Sequence, residues 1–413
     1  MVESTLAPAA NAGAWDDERP RGGDGEDGVR ELTLLGLGIV GGGVAHACLA
    51  TGSRWTVGRA LVRDVHLPRA VPVSPELLTA DPEFALTGAG LVIEVLGGEQ
   101  PAADLIAAAL ERGRPVVTAN KAAIAIHGPR LFALARERGV GLGIEACVGG
   151  GVPIVAALRH LAASQRLTGV GGIINGTTNA LLGAIEAGQS YEEALAAAQA
   201  AGFAEPDPSA DVEGHDPAAK LTILAALAFG VRLDPSALPR RPLSDVGLAD
   251  LRWAAAHGAR MKYLARARHN ADGSVTASVE PTALPASDPL AAPTGSGNAI
   301  QVQGELIGAT TLTGPGAGPA PTAGALLGDA ALAVRGLLPL DYPAPDAPFT
   351  PVLAPTGRYV VRLPAGGRPD MLPQATSWDH DGDALVGLVD DTTASNLGPA
   401  VRALGGSCFR WEA

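Results

Sequence analysis

The chain has 413 residues, 47% of them hydrophobic, which is enough for two or three domains with cores of their own. Its 43 acidic against 30 basic residues give a formal net charge of -13, which excludes a broad nucleic-acid or anionic-membrane surface and leaves room for a small basic pocket. The three cysteines, Cys48, Cys147 and Cys408, form no CxxC pair or Cys/His cluster, excluding a disulfide scaffold and fitting a reducing cytoplasm.

Residues 1–29 are acidic, Gly/Pro-rich and aperiodic. Ordering them would cost more entropy than their burial returns, so a disordered leader is expected, without a signal peptide. No run of about 20 apolar residues marks a membrane span.

From 30 to 150, short apolar runs alternate with Ala-rich amphipathic stretches, the rhythm of βαβ units around a parallel sheet. Strands are expected at "ELTLLG", "RALVR", "LVIEVL", "RPVVTA" and "VGLGIEA", with a helix at "PAADLIAAALERG". The first strand runs into GxGxxG at Gly36, Gly38 and Gly41. There the first glycine permits a tight turn, the second a close approach of pyrophosphate to backbone, and the third close helix–strand packing. Asp64 ends the second strand, where a ribose-binding acid belongs, whereas its neighbours Arg63 and Arg69 are suited to a 2′-phosphate. NAD and NADP therefore both remain open. Lys121 follows "PVVT" and so emerges at the carboxyl edge of the sheet, where ligands of open α/β folds bind.

Residues 151–335 mix Ala-rich helices ("EEALAAAQAAG", "PAAKLTILAALAFG") with alternating strands ("SVTASVEPTAL", "AIQVQGEL"), the pattern of an α+β domain with helices on one face of a sheet. Within it, Glu205, Asp207, Asp211, Glu213 and Asp216 crowd a segment poor in apolar residues ahead of a strongly apolar helix. Asp216 is placed to cap that helix before Pro217. Lys220, four residues on, shares its side of the first turns. A Pro-rich stretch at 336–355 reads as a linker, and 356–413 holds enough short strands and one amphipathic helix for a small αβ module. His46, His127, His160 and His215 lack metal-ligand spacing, and Cys147 has no sequence neighbour that would make it a nucleophile.

Seven motifs occur in one order: "GLGIVGGGV", "IEVLGG", "TANKAAIAIHG", "EACVGGGVPI", "GIINGTTNALL", "GFAEPDPSADVEGHDPAAKLTILA" and "LTGPGAGPAPTAGALLGDA". Together, over about residues 31–335, they resemble the homoserine dehydrogenase family. The resemblance implies a Rossmann-like nucleotide domain at 30–150 to which the chain returns at about 314–335, and a catalytic and dimerisation domain at 151–335. It also implies NAD(P)-dependent interconversion of L-homoserine and L-aspartate 4-semialdehyde by a homodimer or higher homo-oligomer. By motif, Lys121 and Lys220 are then catalytic, with Asp216 orienting Lys220, and Glu205, Asp211, Asn175 and Thr177 bind the substrate. Gly36, Gly38, Ile39, Val40, Gly41, Gly97, Gly98, Lys121 and Gly318 meet the cofactor. Glu145, through its carboxylate, and Val148, Gly150 and Val152, through their carbonyls, form a monovalent-cation site for sodium or potassium.

The sequence departs from the family pattern at Phe203, where many members have Tyr, and at Ala180, where an aromatic is common. The C-terminal module resembles a shortened ACT-like βαββαβ domain without its first long helix. Because every matched motif precedes residue 335, the module is expected to be dispensable for chemistry. Two crowded ammonium groups, partly desolvated, are expected to lower each other's proton affinity, easing proton uptake from the alcohol. A paralogue acting on another small amino alcohol, or a non-catalytic nucleotide-binding protein, remains an alternative.

Overall fold

The computed structural model describes residues 30–88, 90–200, 204–372 and 375–413. The leader and Phe203 lie outside the described residues. The first domain alternates strands β1 (Arg30–Leu35), β2 (Trp55–Leu61), β3 (Leu78–Thr79), β4 (Leu91–Glu94), β5 (Val116–Thr118) and β6 (Leu142–Gly143) with helices α1 (Ile39–Cys48), α2 (Pro82–Leu86), α3 (Ala102–Glu111) and α4 (Lys121–Arg138). All strand pairs are parallel, in the order β3-β2-β1-β4-β5-β6. This is the doubly wound order whose reversal, between β1 and β4, opens a crevice at the carboxyl edge. The apolar runs are buried as a sheet covered on both faces requires: every residue of β4 and β5 is buried.

The second domain begins with α5 (Ile154–Ser164), β7 (Leu167–Ile173), α6 (Gly176–Glu186), α7 (Tyr191–Ala200), α8 (Ser209–Val212), α9 (His215–Phe229) and α10 (Leu248–Ala256). The long strands β8 (Ala259–His269), β9 (Val275–Pro285), β10 (Gly297–Gly304) and β11 (Gly308–Pro315) follow. These pair antiparallel in the order β11-β10-β7-β8-β9, with α6, α9 and α10 packed on the sheet. The chain then returns: α11 (Pro319–Ala333) lies against α1, where a side chain at Gly43 would meet the Pro319 carbonyl at 2.6 Å.

Residues 336–355 are docked rather than free. Tyr342 stacks on Phe132 of α4, ring centroids 4.6 Å apart, and Arg136 donates to the Leu340 carbonyl at 2.9 Å. From the second domain, Arg232 donates to the carbonyls of Pro345 and Ala347 and lies over the Phe349 ring. Proline removes backbone donors, so this segment is tied down by side-chain donors reaching its carbonyls. It ends in β12 (Val352–Leu353), which pairs with β9.

The C-terminal module comprises β13 (Gly357–Leu363), β14 (Ala375–Asp381), β15 (Ala384–Thr392), α12 (Ala394–Ala403) and β16 (Ser407–Trp411). Where a first long helix would stand there is a single 3-10 turn, Pro369–Met371. The module is not a separate sheet: β16 pairs in parallel with β9, so one sheet runs β11-β10-β7-β8-β9-β16-β13-β15-β14. Among the described residues, no helix is long and apolar enough to cross a membrane.

Candidate active site

At the β1/β4 switch point the three glycines divide their tasks. Gly36 has φ +107°, a conformation L side chains rarely adopt. A Cβ on Gly41 would lie 2.2 Å from the Gly36 carbonyl, whereas one on Gly38 meets nothing within 4 Å. Gly38 is also the N-cap of α1, so the helix presents free N–H groups and the positive end of its dipole to open space. A cleft of about 570 Å3 lies there, lined by Gly38, Ile39, His46, Arg69, Val71 and Pro319 among others. Gly318, φ +117°, caps α11 beside it. The Arg69 guanidinium donates to the Asp64 carbonyl at 2.6 Å and its buried Nε has no partner among the described residues. Asp64 accepts from the His66 N–H, and Arg63 is exposed. A dinucleotide fits this set: an open helix terminus for pyrophosphate and a cation with bonding capacity left.

Gly97 and Gly98, both at positive φ, follow β4 with open space around them. Behind them Glu94 is fully buried. Its carboxylate accepts from the Leu96 N–H at 2.7 Å, the Thr118 hydroxyl at 2.5 Å and the Asn120 amide at 3.4 Å. Burial raises its pKa against the pull of these donors. Sequence reasoning missed Glu94, Thr118 and Asn120; the signal available was an acid at the end of a strand otherwise apolar throughout.

Lys121 opens α4 and crosses the domain junction. Its Nζ lies 3.1 Å from Asp216 Oδ1, while Lys220 Nζ lies 2.7 Å from Asp216 Oδ2 and donates to the Ile174 carbonyl at 2.9 Å. One carboxylate thus bridges both lysines. Asn175, the N-cap of α6, donates through its amide to Asp211 at 2.6 Å and Asp216 at 2.8 Å. Asp216, Lys220, Asn175 and Asp211 therefore converge from α9, α6 and α8 on Lys121 from the other domain. Thr177 stands on the first turn of α6. Glu205 is exposed, and its contact is through the backbone carbonyl, which accepts from Gln199. Ala180 is half-buried on α6.

Two expectations change. Asp216 does not cap its helix: Gly214 at φ +81° holds the N-cap and Asp216 points into the junction. Nor is Lys121 made a weaker base. Burial works against the charged Asp216, but the two ammonium groups and the Asn175 amide outweigh it and hold the carboxyl well below the usual carboxylate range. In return the Asp216 charge raises the Lys121 pKa above 10.5 against its own desolvation. The carboxylate between the lysines reverses the expected sign.

The glycine-rich loop after β6 is also more committed than its motif suggests. The two Glu145 oxygens accept the N–H groups of Val155 and Ala156, both at 2.8 Å, in the first turn of α5, and the Val152 carbonyl accepts from Ile154. Burial nonetheless raises the Glu145 pKa. Cys147 donates to the Thr118 carbonyl and, fully buried, has its pKa raised by desolvation, in keeping with a packing role.

A family model described as homoserine dehydrogenase matches residues 153–330, and one described as the homoserine dehydrogenase NAD-binding domain matches 36–145. A homoserine dehydrogenase from Pseudomonas aeruginosa is 36% identical over 374 residues, 84% of each chain. The chain belongs to the homoserine dehydrogenase family. It is an NAD(P)-dependent oxidoreductase of aspartate-family amino-acid biosynthesis. A crystal structure of a homoserine dehydrogenase from Thiobacillus denitrificans superposes with a TM-score of 0.79 at 30% identity, covering 93% of this chain and 98% of that one. A hyperthermophilic archaeal homoserine dehydrogenase in complex with NADPH shares the fold at 23% identity, TM-score 0.62, over 74% of this chain and 98% of that one.

Proposed function

We propose that this homoserine dehydrogenase family member interconverts L-homoserine and L-aspartate 4-semialdehyde, with Lys220 as the proton carrier. The observation that carries the proposal is the Asp216 carboxylate shared by Lys121 and Lys220 across the domain junction. The dinucleotide, held by Gly36, Gly38, Ile39, Val40, Gly41, Gly97, Gly98 and Gly318, supplies the hydride acceptor in the oxidising direction. The chain's own groups handle the proton. As the C–H electron pair leaves the alcohol carbon as hydride, the hydroxyl proton passes to the neutral Lys220 amine, which Asp216 and the Ile174 carbonyl orient. Lys121, 44% exposed and held charged, meets the substrate oxygen beside the cofactor. Asp211 and Glu205, with Asn175 and Thr177, bind the substrate ammonium and carboxylate.

The purified protein should oxidise homoserine with NAD or NADP in a panel of small amino alcohols. Absence of homoserine turnover alongside turnover of another member would overturn the substrate assignment. For cofactor choice, Arg63 and Arg69 favour NADP or dual use. Changing both to Ala should raise KM for NADP far more than for NAD, and equal effects would show that they do not read the phosphate.

We extend the proposal to a monovalent cation, sodium or potassium, at the carbonyls of Val148, Gly150 and Val152 beside Glu145. Each Glu145 oxygen keeps a lone pair beyond its helix N–H bond, and a buried carboxyl of raised pKa gains from a nearby cation. The buried Asn298 amide, whose two polar atoms have no partner among the described residues, lies against Gly316, whose carbonyl lies against Gly150, and adds spare capacity nearby. The working form is proposed as a cytoplasmic homodimer assembled through the catalytic domain.

A further inference from the structure

We propose that Glu94 is a positioning residue for Lys121, acting through Thr118 and Asn120; the proposal rests on the assignment of Lys121 to the reacting centre. Glu94 ends β4 and has no ion pair among the described residues, although it is fully buried. A carboxyl group in such a place is costly unless its hydrogen bonds accomplish something an apolar side chain could not. Its bonds link the two loops that follow β4 and β5 at the carboxyl edge of the sheet. One oxygen accepts from the Leu96 N–H, which begins the turn into Gly97 and Gly98, and lies 3.4 Å from the Asn120 amide. The other accepts from the Thr118 hydroxyl at the end of β5. Thr118 Oγ1 in turn accepts from the Asn120 N–H at 2.8 Å.

Asn120 then does two things at once. Its side-chain oxygen accepts from the Ala123 N–H at 3.0 Å, which caps α4, and its amide donates to the Gly98 carbonyl at 2.7 Å. Lys121 is the next residue, the first of α4, so the cap that fixes the start of the helix also fixes where the Lys121 side chain departs toward Asp216. Glu94, Thr118 and Asn120 thereby couple the glycine cradle after β4 to the lysine after β5. Rotating Asn120 away would move both.

The test uses the full chain. In Glu94→Gln the shape is kept and one oxygen still accepts from Leu96, but the amide cannot accept the Thr118 proton. In Thr118→Val the hydroxyl is lost from the other end of the same bond, and Thr118→Ser restores it. Each variant is followed by thermal unfolding, kcat and KM for homoserine, and the pH dependence of Lys121 acetylation by acetic anhydride, read on the peptide by mass spectrometry. Glu94→Gln and Thr118→Val should lower kcat roughly ten- to a hundredfold, the scale expected when a reacting group is misplaced by up to about an ångström. The Lys121 titration should move to lower pH as the amine draws away from Asp216, and Thr118→Ser should recover both. Folded variants with wild-type kcat and an unmoved Lys121 titration would overturn the proposal. So would a fall in kcat without movement of that titration, since Glu94 would then act by another route. If Glu94→Gln does not fold, the Val and Ser pair at Thr118 decides by the same two readouts. Lys121→Met run in parallel separates the premise: near-wild-type turnover there would remove Lys121 from the reacting centre, while the acetylation shift in Glu94→Gln would still judge the positioning.

Discussion

Asp216 decides the electrostatics of the site, because each of its oxygens holds a different lysine from a different domain. Lys220→Met should leave dinucleotide affinity near wild type, since the glycine turn binds through backbone groups, and lower turnover by about two to four orders of magnitude, the range of positioned acid/base catalysis. Near-wild-type turnover in a folded Lys220→Met protein would pass the proton role to Lys121 or a water. Asp216→Asn keeps the α9 cap, which belongs to Gly214, and removes the charge alone. It should slow turnover and return Lys121 toward 10.5. The sign of its pH effect on stability follows from the two shifts. Asp216 is depressed, so its contribution is present above the ordinary value of 3.8 and lost as pH falls through the lower folded value. Lys121 is raised, so its contribution is present below 10.5 and lost as pH rises through the higher folded value. In Asp216→Asn both slopes should flatten in urea melts taken across pH. Spacing made the Asp216–Lys220 pair legible in the sequence, because four residues is one helical turn. The Lys121–Asp216 contact was not derivable from spacing, since it depends on how two domains meet; family resemblance alone brought the lysines together.

Elements whose periodicity was clean were legible: the parallel strands β1, β2, β4, β5 and β6, with α3, α9, β9 and β10, fall where apolar spacing puts them, whereas the two-residue β3 left no such signal. Strand β7, "LTGVGGI", was not, because glycine reads as turn. Its Gly171 and Gly172 have φ +146° and +152°, and a Cβ on either would lie within 2.2 Å of a neighbouring strand's carbonyl, Ala265 or Ala299. Close approach of backbones, which a sequence does not display, selects glycine there. Strand β8, "ARMKYLARARH", hides behind its Lys and Arg residues, although Lys262 is buried and donates to the Pro293 carbonyl. The turn into α1 allows a sharp test of what each glycine is for. Gly38→Ala should fold with an unchanged melting temperature, because the added methyl meets open space, and lose dinucleotide affinity, because the proposed pyrophosphate site lies in that space. Gly41→Ala should lower the melting temperature even without ligand, because its methyl meets the Gly36 carbonyl. Equal affinity losses without a difference in stability would contradict this division.

At the scale of the molecule, the sheet shared through β16 and β9 argues against a detachable C-terminal module. Its strands were legible, but composition could not reveal that β16 joins β9, since register between distant strands leaves no local signal. Removing 356–413 would bare the β9 edge at Thr282 and Ala283 and take Val360 and Phe409 out of the main core to which Val279 and Ala283 also belong. It would also strip partners from buried polar groups of the catalytic domain. Glu280 accepts from the Tyr359 hydroxyl at 2.9 Å, Asp250 from the Ser407 hydroxyl at 2.6 Å, and Arg241, which grips Asp245, donates to Cys408. The Arg241 carbonyl in turn accepts from the Tyr263 hydroxyl at 2.6 Å, beside Gly214 at the start of α9, so the disturbance reaches the helix that carries Asp216 and Lys220. Burial of each large apolar side chain contributes roughly 1.5–3 kcal/mol, a sizeable part of the roughly 5–15 kcal/mol that holds a domain folded. Truncation after Pro355 should therefore give a chain that aggregates or melts roughly 10 °C or more below the full protein, with turnover reduced even where it stays soluble. Tyr359→Phe, which removes one hydroxyl from the same junction, should show a smaller fall in melting temperature and keep turnover. A soluble truncated protein with the melting temperature and kcat of the full chain would show that the shared sheet contributes nothing to the catalytic fold.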